Sequence, residues 1–304
     1  MSRIDEALRL AAVAALAGDP DDRFAAVTMD PRAPAVIDPS SLERFGPEKP
    51  LKRQENRPAR PSEVIRLAEA SRPVRFEAFP AWLEAKLVVS EGIAPATVEQ
   101  YRRLAASLHH LQLQQGIKTI LVSSALPREG KTLTITNLAL TLSESYHKRV
   151  LLVDADLRRP SLHEVFDLPN KAGLADLLRG EDRVSPIVEV SPYLSVLPTG
   201  PLSTDPMAQL CSERIGIVVR EAGARFDWVL LDTPPVGLLP DAQFIAQASD
   251  GVLFVIAAGV TPYEMVQRGI AALGADRVVG TVLNRVEERS LQASDYYGHY
   301  QAMT

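Results

Sequence analysis

The chain has 304 residues, 46% of them apolar, and a formal net charge of −5. That is enough apolar material for one large core with something smaller beside it. The acidic balance leaves no electrostatic footprint for nucleic acid. The single cysteine, Cys211, excludes an internal disulfide framework and suits a reducing cytoplasm.

The N-terminus, MSRIDEALRLAAVAALAGDP, carries an apolar patch, but Asp5, Glu6 and Arg9 interrupt it and argue against a signal peptide. Ser2 and Asp5 resemble a capping box that opens a short amphipathic helix containing Ile4, Leu8 and Val13, stopped by Gly18 and Pro20. Residues 1–96 hold 11 of the 23 prolines, so this region reads mainly as linker. Segments such as DPRAPAVIDPS have too little apolar surface to offset the entropy of ordering, and partial disorder is expected to about Arg75.

From Val98 the pattern becomes strands alternating with helices. Strands are predicted at 117–123, 150–153, 194–197, 227–231, 251–257 and 278–283, mostly as continuous apolar runs of the kind covered on both faces. The run GVLFVIAAGV at 251–260 is roughly half the length of a membrane span and fits a buried strand better. Helices are predicted at 132–146, 205–221, 240–248 and 262–273. The expected fold is α/β, a mostly parallel sheet with helices on both faces, and in such sheets ligands bind beyond the carboxyl ends of the strands.

Chemistry-bearing residues fall at those ends. The run IKTILVSSALPREGKT at 117–132 is a strand emptying into a loop that ends Gly130-Lys131-Thr132, and a helical pattern follows it. Backbone N–H groups there can wrap phosphates, a lysine can reach the β/γ oxygens and a hydroxyl can serve Mg²⁺. The phosphate-loop pattern is imperfect, because Ala125 stands where the first glycine belongs. Asp154 and Asp156 end the run VLLVDADLRRP, and Asp232 ends WVLLDTPP. A single Asp after a strand is as often a helix cap as a metal ligand. Three of them beside a phosphate loop favour a Mg-nucleotide site, with Asp156 either behind the ligands or acting as a base.

In their order and spacing, SALPREGKT, VLLVDADLRRP and WVLLDTPP resemble the Walker A, A′ and B motifs of the bacterial tyrosine kinases of capsule and exopolysaccharide synthesis. The resemblance covers roughly residues 97–304. It implies a P-loop kinase domain over 97–286, a tyrosine-rich tail over 287–304, and ATP and Mg²⁺ as cofactors. Nucleotide contacts would come from Ala125, Pro127, Arg128, Glu129, Gly130, Lys131, Thr132 and Leu133, and metal contacts from Thr132, Asp154 and Asp232. Lys131, Asp154, Asp156 and Asp232 would be catalytic. Asn284, in VLNRV, resembles a base-contacting Asn of related ATPases, although a polar strand end reads much the same way.

Three of the seven tyrosines, Tyr296, Tyr297 and Tyr300, lie in the last nine residues. Such a cluster can simply pack on the domain; the resemblance implies a phosphoacceptor tail. The 14 residues from Val286 to Tyr300 span up to roughly 45 to 50 Å, against a radius of gyration of about 17 Å, so the tail can reach a neighbouring subunit. Family members work with a membrane-embedded chain-length regulator, which implies a cytoplasmic chain at the inner face of the membrane and a homo-oligomer. One departure concerns that oligomer: the family pattern Glu-x-x-Arg-x-x-Arg reads Glu99, Arg102, Ala105, with Arg103 as the nearest substitute. The alternative is a switch ATPase of the ParA/MinD type without kinase activity, but its signature lysine position is Leu126 here. His109 and His110 lack a third donor at metal spacing and read as ordinary surface residues.

Overall fold

The computed structural model describes residues 79–84, 86–180, 186–202, 205–237 and 239–286. The N-terminal helix and linker expected before residue 79 and the tail tyrosines lie outside the described residues.

A seven-stranded sheet runs in the order β3-β4-β2-β5-β1-β6-β7. Its strands are β1 (Thr119–Ser124), β2 (Val150–Asp154), β3 (Val188–Ser191), β4 (Leu194–Leu197), β5 (Trp228–Asp232), β6 (Gly251–Ala257) and β7 (Val278–Asn284). All neighbours pair in parallel except β3, an edge strand antiparallel to β4. Alternate residues of each strand feed opposite faces. Leu121, Val153, Leu231 and Phe254 enter one apolar cluster, whereas Ile120, Leu152, Leu230 and Val255 enter the other. Continuous apolar runs are what a sheet buried on both sides requires.

The predicted strands match the observed ones to within two residues at each end, and β3 is the one missed. Three of its four residues are only partly covered, so VEVS carries no buried-strand signature.

Helix α1 (Ala81–Glu84) precedes α2 (Pro95–Gln115), which begins on a proline and ends at Gly116, whose φ of 72° places it in the left-handed C-terminal position. Tyr101, Leu104, Ala105, Leu108 and Leu111 form its buried stripe. Ala105 is therefore a core residue, and an arginine there would enter the core. Arg103 is paired with Glu99 on the exposed side of the helix. Packing begins upstream of residue 97. Leu83 and Leu87 are buried, and Asn137 holds the segment between α1 and α2 by donating to Lys86 O (3.0 Å) and accepting from Val88 N (2.9 Å).

Helix α3 (Lys131–Leu140) continues as a π turn over Thr141–Ser145, where Thr141 Oγ1 donates back to Asn137 O at 2.8 Å. Two short helices follow, α4 (Leu162–Val165) and α5 (Leu174–Arg179). The single helix expected at 205–221 is divided into α6 (Pro206–Leu210) and α7 (Arg214–Arg225). At the break, Ser212 Oγ donates to Gln209 O at 2.6 Å, a local bond that competes with the helical ladder. Helices α8 (Asp241–Ala246) and α9 (Tyr263–Leu273) complete the layers, and no described helix is long and apolar enough to cross a membrane.

Candidate active site

The loop from β1 to α3 lies at the carboxyl edge of the sheet, beside the ends of β5, β6 and β7. Ala125, at the position of the missing glycine, is fully buried, and its carbonyl accepts from Gly237 N at 3.1 Å. A Cβ on Gly237 would lie 2.3 Å from Ala125 O. The close approach that needs a glycine is therefore made from the Walker B side of the cleft. Gly130 has φ 89° and leads into α3, so the first N–H groups of a ten-residue helix face the loop.

Glu129 is 2% exposed. Its carboxylate accepts from Leu126 N, from Thr261 Oγ1 and, at 3.4 Å, from Ala257 N. The side chain thus ties the loop to the end of β6, and anything Glu129 offers a nucleotide comes from its backbone. Asn284 also reaches this loop. Its amide bonds to the loop's own backbone, donating to Glu129 O at 2.9 Å.

Strands β2 and β5 are neighbours in register, which sets Asp154 directly opposite Asp232. Asp232 Oδ2 accepts from Thr132 Oγ1 at 2.7 Å, while its Oδ1 is buried without a partner. Burial pushes Asp232 up to about 6, opposed by the Thr132 hydrogen bond and the Lys131 charge. Burial lowers Lys131 itself, and the charges of Asp232, Glu129 and Asp156 pull it back toward the ammonium form.

Asp154 is fully buried; its Oδ2 accepts from Ser161 N and Leu162 N, both at 2.9 Å, and its Oδ1 from Asp156 N at 3.3 Å. Burial, then the charge of Asp232, pushes it up to about 7 against those backbone bonds. Asp154 is not the N-cap of α4, which is Ser161; its carboxylate organises the Walker A′ loop from the end of β2 and lies beside Asp232. Asp156 is half-buried, and its Oδ1 accepts from Arg158 N (3.1 Å) and Arg159 N (2.9 Å).

Lys131, Thr132, Asp154, Asp156 and Asp232 thus converge on one edge with Gly130. Sequence reasoning passed over three contributors. Ser161 Oγ lies 3.3 Å from Thr132 Oγ1. Arg158 grips the buried Asp241 through Nε (2.7 Å) and Nη2 (3.2 Å). Thr261 completes the Glu129 network. Pro160-Ser161 before a helical stretch carried a cap signal that pointed to Ser161; nothing local marks Asp241 or Thr261 as partners of residues over 80 positions away.

The donor set fits a Mg-nucleotide. A hydroxyl, a carboxylate with a free buried oxygen and a lysine stand at a helix N-terminus, offering hard oxygens to the cation and positive charge to phosphate. Among the described residues no group of three His, Cys, Asp or Glu side chains forms a metal cage.

No family model matches the chain. Over 206 residues it is 34% identical to the tyrosine-protein kinase YwqD of Bacillus subtilis, covering 66% of this chain and 85% of that one. With the tyrosine-protein kinase wzc of Salmonella typhimurium the identity is 31% over 208 residues, 67% of this chain but only 29% of the longer relative. The kinase domain of the Escherichia coli tyrosine kinase ETK superposes with a TM-score of 0.62 at 25% identity, covering 71% of this chain and 92% of that domain. Fold, motif geometry and similarity over most of a relative's length agree, and the chain belongs to the bacterial tyrosine-protein kinase family.

Proposed function

We propose that this chain is a Mg-ATP-dependent protein-tyrosine kinase that phosphorylates the tail tyrosines Tyr296, Tyr297 and Tyr300 of a neighbouring copy. The observation that carries the nucleotide part is the Lys131-Thr132-Asp232 cluster at the start of α3, with Asp232 Oδ1 buried and unpartnered. Thr132 and Asp232, with Asp154 behind them, are the residues to hold Mg²⁺. Bound there, the ion would neutralise charge on the β and γ phosphates. Lys131, whose charged form burial disfavours and three carboxylates partly restore, adds positive charge at the same phosphates. The N–H groups around Gly130 orient the phosphate chain.

Asp156 accepts the phenolic proton of the incoming tyrosine. It is less deeply buried than Asp154, and only one of its oxygens is engaged by its own loop. Family membership supports the remaining assignments. They are a role in exopolysaccharide or capsule polymerisation and export, a membrane-embedded chain-length regulator as partner, a homo-oligomer, and residence in the cytoplasm at the inner face of the membrane. Replacing Lys131 with Met tests the proposal. Tail phosphorylation by Mg-ATP should fall about a thousandfold or more while the melting temperature holds, and unchanged phosphorylation would refute it.

A further inference from the structure

The end of β7 grips the phosphate loop at two consecutive carbonyls. Asn284 Nδ2 donates to Glu129 O at 2.9 Å, and Arg285 Nη2 donates to Arg128 O at 2.6 Å. The orientation of the amide is dictated by its neighbours. Glu129 O can only accept, so Nδ2 faces it; Arg285 N–H can only donate, and Oδ1 receives it at 2.9 Å. Asn284 is 2% exposed and both of its polar ends are engaged.

Three backbone facts show that this grip shapes the loop. Arg128 and Arg285 both have left-handed backbone, φ 64° and 60°, a conformation that side-chain-bearing residues keep only where their surroundings impose it. Gly130 must be glycine partly to admit Asn284, since a Cβ there would lie 1.9 Å from Nδ2. The peptides of the described residues are all trans, so each C=O is antiparallel to the N–H that follows it. Holding the carbonyls of Arg128 and Glu129 toward β7 therefore aims the N–H groups of Glu129 and Gly130 away from β7, the arrangement that a phosphate-wrapping loop requires.

We infer that Asn284 and Arg285 are positioning residues that set the peptide planes of the phosphate loop, and that Asn284 acts on phosphate affinity through the loop and not by reading the base. The inference rests on the nucleotide-binding reading. It is tested on the full chain by titrating N-methylanthraniloyl-ADP and then displacing it with inorganic tripolyphosphate, which has phosphates and no base.

The wild type should bind both. Asn284→Leu keeps the side-chain volume but orphans Glu129 O, and it should weaken both ligands by the same factor, about tenfold. Arg285→Ala should weaken both about threefold, and Arg285→Lys, which keeps a donor, should recover part of the loss. Weaker binding of the ADP analogue with tripolyphosphate unaffected would make Asn284 a base reader and overturn the inference. Wild-type affinity in both Asn284→Leu and Arg285→Ala would overturn it as well. If the wild type binds neither ligand, it is the nucleotide reading that fails, and the inference falls with it. Should Asn284→Leu melt early, the partly exposed Arg285 pair carries the same comparison alone.

Discussion

The two loops that build the site are held in opposite ways. The Walker A′ loop after β2 is held mostly by itself: Asp154 and Asp156 accept from N–H groups no more than eight residues downstream. The phosphate loop is held from a distance. Its backbone and its Glu129 are bonded by Ala257, Thr261, Asn284 and Arg285, 128 to 157 residues away in sequence. A self-organised loop can be exchanged between contexts as a motif, whereas a loop held by remote strands depends on the whole sheet being folded. Nucleotide affinity should therefore be more sensitive to changes in β6 and β7 than the motif itself suggests.

The largest expected effect tests a remote tie of the A′ loop, the Arg158–Asp241 pair. Arg158→Ala leaves a fully buried carboxylate without its partner, and urea denaturation should show a loss of about 2 to 4 kcal/mol, moderated because Arg158 is a third exposed. A loss below about 0.5 kcal/mol would mean that this pair does not hold the A′ loop. Next is Glu129→Ala, which orphans Leu126 N and the Thr261 hydroxyl, while Ala257 N keeps Thr261 Oγ1 as an acceptor at 3.2 Å. A cost of about 2 to 3 kcal/mol is expected, together with weaker nucleotide binding, and a stability loss without an affinity loss would separate the remote support from loop geometry.

A smaller effect separates the charge of Asp154 from its backbone bonds. Asp154 and Asp232 are raised to about 7 and about 6, from an ordinary value near 4. The folded state holds those protons more tightly than the unfolded one. The stability they lend is therefore fully present below about pH 4 and is lost as pH rises through 6 and 7. Asp154→Asn keeps acceptors for Ser161 and Leu162 and removes one titration, so the fall in melting temperature between pH 5 and pH 8 should flatten by roughly 2 to 6 °C. An unchanged slope would show that the carboxylate pair does not govern the apo site. The smallest effect is a control outside both loops: Glu99→Gln breaks an exposed pair with Arg103 and should change stability by about 0.5 kcal/mol at most.

The same contrast explains how much was legible in the sequence. Parallel strands buried on both faces announce themselves as apolar runs, so the interior of the sheet, Lys131, Thr132 and the three Asp residues could be located from local pattern alone. Strand β3 carried no such signature because it lies half-covered at an edge. The break between α6 and α7 turned on a single Ser212 hydroxyl. Asp154 could be found but its double duty could not, since its backbone bonds look like those of any Asp at a strand end. Asp241, Thr261 and Arg285 left no mark. Their partners come from other parts of the chain, and only the completed sheet brings them together.

The central claim, that this P-loop site phosphorylates tyrosines of the chain's own tail, is tested most directly by intact mass after incubation with Mg-ATP. The full chain should be compared with one ending before Asp295. Phosphate-sized mass gains are expected on the full chain and should vanish on truncation. ATP consumed with no mass gain, as in a switch ATPase, or gains that persist in the truncated chain, would contradict that claim.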